Sequence, residues 1–445
     1  MKRVAIVGGG LTGLSAAYYL GTARPDIRIT VYEASNRLGG KIRTKRIDGF
    51  CVELGPDSYL ARKTAMTDLI ESVGLEDRTV GNATGQSYIF DCGTMYPIPG
   101  GSIIGVPTEI LPFATTRLIS FRGKLRAAAD IWKAPYPGDG DVPAGAFFRY
   151  HLGDELTDML IEPLLSGVYG GDLDALSLDG ILSEFHEVER RHGNLLKGML
   201  ALRRAREKTG IKHESQFRQL RGGLESLVEA TVANMPSNVE ILTESAVEDW
   251  EALGADATVI ATEPQAYRRW FAEDAVFDAV TCMEMSSTAI AVAFFDAKQF
   301  GAPPEGTGFL LTRRTPGLMT ACTYLSTKWP ETTPEGFVVV RIFLGRHGDD
   351  RVDRLSEAEL KEIALFEFSA ATGCKAKPEH VELVALPESM PQYRVGHPEK
   401  VARLRAYIRE RYRGLHVIGT AFDGVGIPDG IRQARRAADE IARML

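Results

Sequence analysis

A short apolar block opens the chain, and a helical repeat of apolar positions follows a glycine-rich turn. Residues 4–7 are apolar and predict a strand, residues 8–13 supply the turn, and residues 14–20 show helical spacing. Residues 27–32 predict a second strand. The order strand, glycine turn, helix, strand is typical of a dinucleotide-binding unit.

The last residues predict a similar arrangement. Residues 415–419 predict a strand, residues 424–428 a tight loop, and residues 429–445 a helix. One face of that helix carries the apolar residues Ile431, Ala434, Ala438, Ile441 and Leu445. We expect both ends of the chain to contribute to one cofactor-binding domain.

The middle of the chain divides into a helical and a strand-rich part. Residues 98–210 have mostly helical periodicity, whereas residues 289–295 and 337–344 predict strands. Ser356 and Glu359 have the spacing of a capping box, which predicts a helix to about residue 371.

Charge and cysteine content exclude several classes of protein. The 445 residues include 52 Lys and Arg against 59 Asp and Glu, a net charge of −7, which argues against a broad nucleic-acid surface. The five cysteines are scattered without metal-ligand spacing, so we expect reduced thiols, no metal site and a cytoplasmic protein.

Targeting and membrane segments are also not expected. The apolar block at residues 4–7 is too short for a signal peptide. No apolar run approaches the roughly 18 residues that a membrane-spanning helix needs. Peripheral contact with a membrane stays open.

The glycine turn has the spacing G-x-G-x-x-G. Gly8 permits the tight turn, Gly10 lets the backbone approach a pyrophosphate, and Gly13 lets the helix pack on the strand. Glu33 ends the second strand twenty residues after Gly13, where a carboxylate binds the ribose hydroxyls. The predicted cofactor-binding residues of this part are Gly8, Gly9, Gly10, Leu11, Thr12, Gly13 and Glu33.

A second glycine motif identifies the dinucleotide. The pattern E-x-x-x-R-x-G-G-K, from Glu33 to Lys41, resembles that of the flavoprotein family that includes amine oxidases, carotenoid desaturases and porphyrinogen oxidases. This resemblance implies FAD as the cofactor. It also implies that Gly39 and Gly40 lie near the phosphates, with Arg37 and either Lys41 or Arg43 close by.

Further segments narrow the resemblance. Residues 53–63, 84–88, 162–172, 222–224, 391–397 and 424–429 resemble the soluble Gram-positive branch of the coproporphyrinogen III oxidase and protoporphyrinogen oxidase family. By this resemblance Val247, in the strand-like region of residues 239–250, lies on the adenine side, and Met390 lies near the flavin. The residues expected to line the flavin are Gly55, Pro56, Asp57, Ser58, Gly424, Val425, Gly426 and Ile427.

The positions of these motifs predict a multidomain fold of mixed α/β and α+β type. Residues 1–60, 220–262 and 388–445 are expected to form a discontinuous, Rossmann-like FAD-binding domain. Residues 61–97 and 263–387 would form a sheet-based substrate domain, and residues 98–219 a helical insert. Basic residues interleaved with leucines near the end of the insert suggest a membrane- or partner-facing helix.

The resemblance implies a six-electron oxidation of coproporphyrinogen III to coproporphyrin III in haem biosynthesis. Dioxygen would reoxidise the flavin and leave as hydrogen peroxide, and no catalytic side chain is required because the flavin carries the chemistry. Arg62 and Lys63 are the candidate cations for the substrate propionates. Tyr169 is the candidate for packing on the macrocycle.

Other functions stay open at this point. Protoporphyrinogen IX, with two propionates instead of four, is the main alternative substrate. A flavin amine oxidase is more distant, because no cysteine follows Cys374 to hold a flavin covalently. A non-enzymatic FAD-holding partner in haem synthesis would carry the same motifs, and an interaction with a downstream haem-synthesis enzyme is also open.

Overall fold

The computed structural model describes residues 1–47, 50–138, 140–208, 216–301 and 305–445, and within 206–208 only the backbone. Residues 209–215 of the predicted helical insert therefore lie outside the described residues. The chain forms two units. The first contains Met1–Gly81, Ser215–Glu284 and His397–Leu445, and the second contains Asn82–Glu214 and Met285–Gly396.

The strands are short in the first unit and longer in the second. In chain order they are β1 (Arg3–Val7), β2 (Arg28–Tyr32), β3 (Thr44–Ile47), β4 (Phe50–Glu53), β5 (Tyr59–Leu60), β6 (Thr79–Gly81), β7 (Tyr88–Asp91), β8 (Thr94–Pro97), β9 (Ser102–Ile103), β10 (Val106–Pro107), β11 (Phe217–Leu220), β12 (Val239–Leu242), β13 (Ala257–Ile260), β14 (Met285–Asp296), β15 (Gly308–Leu311), β16 (Met319–Tyr324), β17 (Phe337–Leu344), β18 (His380–Pro391) and β19 (Leu415–Val417).

The helices are concentrated between residues 110 and 208 and at the end of the chain. They are α1 (Leu11–Ala23), α2 (Thr64–Ser72), α3 (Ile110–Thr115), α4 (Phe121–Ala128), α5 (Ala144–Leu152), α6 (Asp154–Leu156), α7 (Glu162–Tyr169), α8 (Leu178–His192), α9 (Leu195–Lys208), α10 (Glu225–Ala233), α11 (Pro264–Phe271), α12 (Asp278–Thr281), α13 (Ala297–Phe300), α14 (Leu325–Lys328), α15 (Arg351–Arg354), α16 (Glu357–Thr372), α17 (His397–Arg411) and α18 (Ile427–Met444). Short irregular turns of helix occur at Glu76–Arg78, Ala129–Trp132, Thr157–Ile161, Glu251–Leu253 and Ala275–Phe277.

The first unit is built on a parallel five-stranded sheet. Its strand order is β12-β2-β1-β13-β19, so that both ends of the chain enter one sheet. The central strand β1 is apolar on both faces, with the successive residues Ala5, Ile6 and Val7 all buried, as expected for a sheet covered on both sides. This arrangement is the predicted Rossmann-like architecture.

A mixed seven-stranded sheet forms the centre of the second unit. The strand order is β18-β14-β17-β16-β15-β7-β8, and the pairs are antiparallel except for β15 with β7. The predicted strands at 289–295 and 337–344 are confirmed as parts of β14 and β17. The capping box of Ser356 and Glu359 is confirmed as well, at the start of α16.

The helices of residues 110–208 do not form a separate body. Phe147 and Leu160 of this segment share an apolar cluster with Ile89 of β7, and the helices therefore belong to the same unit as the sheet. Residues 61–81 belong to the first unit because β5, β11 and β6 pair in one sheet. The two units thus have boundaries that differ from the three predicted domains.

The basic, leucine-containing segment is also arranged differently from the prediction. Gly193, with φ +69°, separates α8 from α9, so the segment is not one continuous helix. Leu195 and Met199 are almost completely buried in the core of the second unit, and they are not available to a lipid surface. Within the described ranges, no helix is long and apolar enough to cross a membrane.

Two predicted boundaries need correction. The last helix begins at Ile427 instead of Asp429, because Pro428 is tolerated in the first turn, where its missing N–H has no partner anyway. The strand-like region predicted at residues 239–250 contains only β12, and Val247 lies in the irregular segment that follows it.

Candidate functional site

The first glycine loop connects β1 to α1 in the first unit. A Cβ atom on Gly13 would lie 2.0 Å from the carbonyl oxygen of Gly8, so no other residue fits there. This close approach is the reason for the third glycine of the motif. Leu11 and Thr12 form the first turn of α1 behind this loop.

The N-terminus of α1 is open to an anion. Gly10 is the N-cap, no side chain caps the helix, and its first turn contains no acidic residue. A Cβ on Gly10 would find only the Cα of Gly40 within 4 Å, at 3.8 Å, so the space in front of this helix end is open. Uncapped N–H groups and the helix dipole together favour a phosphate. These residues fit the pyrophosphate of FAD.

Glu33 lies directly after β2 and is held in one orientation. Its Oε2 accepts a hydrogen bond of 2.7 Å from the backbone N–H of Gly9. Its Oε1 accepts bonds of 2.9 and 2.7 Å from the N–H and hydroxyl of Ser35. Oε2 has a further lone pair, so the carboxylate can still accept a hydrogen bond from a ribose hydroxyl.

The second glycine loop packs on the first. The N–H of Gly39 donates to the carbonyl of Gly9 over 2.9 Å. The guanidinium of Arg37 donates to the carbonyls of Gly40 and Ile42 over 2.6 and 2.7 Å. Lys41 pairs with Glu263 at 2.9 Å. The two cations that were expected near the phosphates are therefore engaged with protein groups, and Arg37 shapes the glycine loop itself.

Residues 55–58 lead from the β3–β4 hairpin into β5. A Cβ on Gly55 would lie 1.9 Å from the carbonyl oxygen of Lys41, so this residue also has to be glycine. Pro56 and Asp57 are half-buried, and the Ser58 hydroxyl donates to Asp57 Oδ1 over 2.9 Å. Val247 is buried in the same unit, next to a segment whose N–H groups at 244 and 245 bond to the carbonyls of Ser35 and Glu33.

The closing loop precedes α18. Gly426 is the N-cap of this helix without a side-chain cap, and Val425 and Ile427 are half-buried. Asp429 lies in the first turn, is buried, and pairs with Lys63 at 2.5 Å and with Arg432 at 3.2 Å. The carboxylate interacts favourably with the positive end of the helix dipole, and the two cations offset its negative charge.

Arg62 and Lys63 lie in the first unit beside α18. Both line a groove of about 590 Å³ that α18 borders with several arginines. Lys63 is engaged with Asp429, and Arg62 has contacts within the protein as well. The structure thus places the two predicted propionate-binding cations together.

Tyr169 and Met390 lie in the second unit. Tyr169 is the last residue of α7, and its hydroxyl donates to the carbonyl of Ile181 over 3.1 Å. The Gln392 side chain donates to the carbonyls of Tyr169 and Met390 over 2.9 and 3.1 Å. This glutamine therefore joins two residues that are far apart in the sequence.

A charged group near Tyr169 was not found by the sequence analysis. It consists of Glu162, Arg313, Arg346, His347 and Arg394, all in the second unit. Burial raises the pKa of Glu162, although its ion pair with Arg313 opposes this effect. Their spacing in the sequence gives no motif, and the only available signal was that each arginine closely follows a strand.

Comparison with known proteins gives a consistent result. The family model described as "Flavin containing amine oxidoreductase" matches residues 11–442. The chain is 43% identical to a protein named coproporphyrinogen III oxidase from Staphylococcus aureus (strain NCTC 8325 / PS 47), over 99% of both chains. It is 36% identical to the protein of the same name from Bacillus subtilis (strain 168), over 99% of this chain and 97% of the other.

A solved structure extends the similarity to the fold. The crystal structure of a protein from Exiguobacterium sp. 255-15, provisionally assigned as a protoporphyrinogen oxidase, is 35% identical in sequence. It covers 100% of this chain and 99% of its own, with a TM-score of 0.88.

Proposed function

Because the chain belongs to the flavin containing amine oxidoreductase family, we propose that it oxidises coproporphyrinogen III to coproporphyrin III with FAD as cofactor. The full-length match to two proteins named coproporphyrinogen III oxidase carries this proposal. Similarity that was confined to a shared cofactor module would cover only part of each chain.

FAD, when bound, would supply the two-electron redox chemistry that each of the three oxidations needs. The porphyrinogen loses six electrons and six protons in total, and three molecules of dioxygen take them up as three hydrogen peroxide. The protein has to bind the macrocycle, orient it and exclude water.

In the first unit, we assign the ends of the cofactor to separate elements. The N-terminus of α1 and the backbone at Gly39 and Gly40 would bind the pyrophosphate, Glu33 the ribose, and Val247 the adenine side. Residues 55–58 and the closing loop would line the flavin. The positive end of the α18 dipole would then stabilise negative charge on the flavin ring. Met390, from the second unit, is the further proposed flavin contact.

For the substrate, Arg62 and Lys63 are the proposed propionate contacts of the first unit. Lys63 would have to exchange its bond to Asp429 for the propionate or bind both groups at once. Tyr169 is the proposed macrocycle contact of the second unit.

Protoporphyrinogen IX is the second candidate substrate. The assignment given to the Exiguobacterium structure favours it. Both substrates undergo the same chemistry, so that only the number of propionates and the vinyl groups distinguish them.

The test is aerobic oxidation of both porphyrinogens by the FAD-loaded protein, with porphyrin fluorescence and hydrogen peroxide measured in parallel. We expect faster formation of coproporphyrin and three peroxides for each porphyrin. Rates equal to those without enzyme for both compounds would contradict the proposal. Faster oxidation of protoporphyrinogen IX than of coproporphyrinogen III would identify protoporphyrinogen IX as the substrate.

A glycine variant links this activity to the cofactor site. Gly13→Ala should abolish FAD binding and oxidation, because its Cβ would lie 2.0 Å from the carbonyl oxygen of Gly8. Gly100→Ala is the matched control, since among the described residues, its two chain neighbours aside, no atom lies within 4 Å of its Cβ position. FAD retained by Gly13→Ala at the wild-type level would contradict the assignment of this loop.

We further propose that the reaction takes place in the cytoplasm, where the product can pass to a downstream haem-synthesis enzyme. Peripheral membrane contact would use α3 and α4 instead of the basic segment predicted from the sequence. Ile110, Leu111, Phe121 and Leu125 on these helices are all more than half exposed. Sedimentation with anionic lipid vesicles would test this, with Phe121→Ser expected to weaken binding.

A further inference from the structure

Three strands of the second unit end at the same edge of the sheet. β15 and β17 both pair antiparallel with β16, and β17 and β18 both pair antiparallel with β14. The three strands β15, β17 and β18 therefore run in one direction. Arg313 follows β15 by two residues, Arg346 follows β17 by two, and Arg394 follows β18 by three. This topology brings the three arginines to one edge.

Arg313 is fixed by two hydrogen bonds. Its Nε donates to Glu162 Oε1 over 2.6 Å, and its Nη2 donates to the carbonyl of Gly171 over 2.7 Å. The side chain of Glu162 is only 6% exposed, whereas that of Arg313 is 38% exposed. A buried carboxylate thus holds a guanidinium whose other edge faces outward.

Arg346 has unused hydrogen-bond donors. Its Nη2 donates to the carbonyl of Met319 over 3.3 Å, while its buried Nε has no partner among the described residues. Burial lowers the pKa of Arg346, and the neighbouring Arg313 adds to this effect. A buried donor without a partner is unfavourable, so a bound acceptor at this place would be favourable.

His347 and Arg394 extend the hydrogen bonds at this edge to β14. A guanidinium only donates, so Arg394 Nη2 donates to His347 Nε2 over 3.2 Å, and His347 Nδ1 donates to the Ser286 hydroxyl over 3.2 Å. The N–H of His347 also donates to the carbonyl of Gly170 over 2.6 Å. Arg313 and His347 thus both donate to carbonyls of the turn that directly follows Tyr169.

Positive charge exceeds negative charge here. Asp349 pairs with Arg351 at 2.5 Å and Asp158 with Arg149 at 2.5 Å, so both neighbouring aspartates are already compensated. Glu162 then remains against the three arginines, which leaves an excess of two positive charges among these residues. Planar guanidinium groups bind carboxylates with paired hydrogen bonds.

We propose that Arg313, Arg346 and Arg394 form a carboxylate-binding site that holds propionate groups of the porphyrinogen. The assignment rests on the proposed function, and it concerns residues of the second unit alone.

The test is the equilibrium binding of coproporphyrin III to the FAD-loaded protein, followed by quenching of tryptophan fluorescence. Arg313→Gln and Arg346→Gln should each raise the Kd about tenfold, which corresponds to about 1.4 kcal/mol. Both should raise the KM for coproporphyrinogen III more than they lower kcat. Arg346→Lys keeps the charge without the paired donors and should have an intermediate Kd.

Arg314→Gln is the matched control. Arg314 is adjacent in the sequence and pairs with the buried Asp91, just as Arg313 pairs with the buried Glu162. The double variant Glu162→Gln with Arg313→Gln removes the ion pair as a whole and covers the case in which Arg313→Gln does not fold. An unchanged Kd in the Arg313 and Arg346 variants, or an equal rise in Arg314→Gln, would overturn the site.

The carboxylate site and the proposed function can be contradicted independently. Wild-type protein that oxidises neither porphyrinogen contradicts the proposed function, whatever the variants bind. Wild-type protein that oxidises coproporphyrinogen, together with variants that bind coproporphyrin as tightly as the wild type, contradicts only the carboxylate site.

Discussion

Two groups of buried charged side chains lie in the second unit, and they are completed in different ways. We call Asp130, His151 and Glu189 the histidine cluster. We call Glu162, Arg313 and Arg346 the arginine cluster. The first has its hydrogen bonds filled by the protein, whereas the second keeps buried polar atoms without a partner among the described residues.

The histidine cluster is closed. His151 Nδ1 lies 2.6 Å from Asp130 Oδ1 and its Nε2 lies 2.7 Å from Glu189 Oε1, and the histidine and Asp130 are completely buried. Since carboxylates only accept, both ring nitrogens carry hydrogen and the ring is an imidazolium. The N–H groups of Leu196 and Tyr136 bond to the same two carboxylates. Among the described residues, these three side chains have no buried polar atom without a hydrogen bond, so the cluster offers nothing for a ligand to bind.

The arginine cluster is open. Glu162 Oε2 and Arg346 Nε are buried without a hydrogen bond among the described residues. The two clusters of buried charged side chains thus have different roles within one unit. A filled network holds helices together, and an incomplete one is suited to binding a ligand that completes it.

The largest expected effect is the loss of His151. His151→Ala leaves two buried carboxylates without their shared cation and should lower the free energy of unfolding by about 3–5 kcal/mol. Urea denaturation measures this change. His192→Ala, an exposed histidine at the end of α8, is the control and should stay within about 0.5 kcal/mol. A change of less than 1 kcal/mol for His151→Ala would show that the closed network is not structural.

The same cluster predicts a smaller, pH-dependent effect. Burial opposes the charge on His151, but its hydrogen bonds to Asp130 and Glu189 outweigh this and raise its pKa. The stability it contributes is therefore complete below about pH 6.5 and is lost as the pH rises through the pKa of the folded state. Lys133 and His186 are the other titratable groups that interact with these carboxylates.

Glu189 limits the stability of the cluster at acidic pH. Burial would raise its pKa, but the hydrogen bonds from His151 and from the N–H of Tyr136, together with the nearby positive charge, outweigh burial and lower it. Its contribution is therefore lost as the pH falls through the pKa of the folded state. Denaturation curves of wild type and His151→Ala at several pH values measure both limits. Their difference should shrink toward alkaline pH, and a difference that grows there would refute the charged form of His151.

The smallest expected effect compares one substitution in both clusters. Glu162→Gln should change the free energy of unfolding by only about 1 kcal/mol, because its partner Arg313 is 38% exposed and stays solvated when the ion pair is lost. Glu189→Gln should cost more, because it takes a carboxylate from a buried cation. Urea denaturation of the two variants gives the order directly. A larger cost for Glu162→Gln would reverse the comparison between the clusters.

The sequence was sufficient for the FAD-binding fold and for the family. The glycine spacing from Gly8 to Gly13 is dictated by backbone contacts within one βαβ unit, so it is visible locally. The strands at 289–295 and 337–344 and the capping box at Ser356 are likewise local patterns. The cofactor and substrate residues proposed from the resemblance stay predictions for the experiments above.

Pairing partners could not be predicted in the same way. Arg37 and Lys41 look like phosphate-binding cations in the sequence, but their ion pairs with Glu225 and Glu263 arise only when separate segments fold together. The basic segment near residue 200 resembles a surface helix by composition. Its residues Leu195 and Met199 are buried because they share a core with residues more than forty positions away.

The order of residues along the chain thus determined the helices and strands, the glycine turns and the class of cofactor, because each of these depends on residues that are close in the sequence. The tertiary structure alone decided which charges meet. Arg313, Arg346 and Arg394 come together only because three strands run in one direction and end at one edge of the sheet. Asp130, His151 and Glu189 are similarly scattered, and only the packing of the helices buries them as one network.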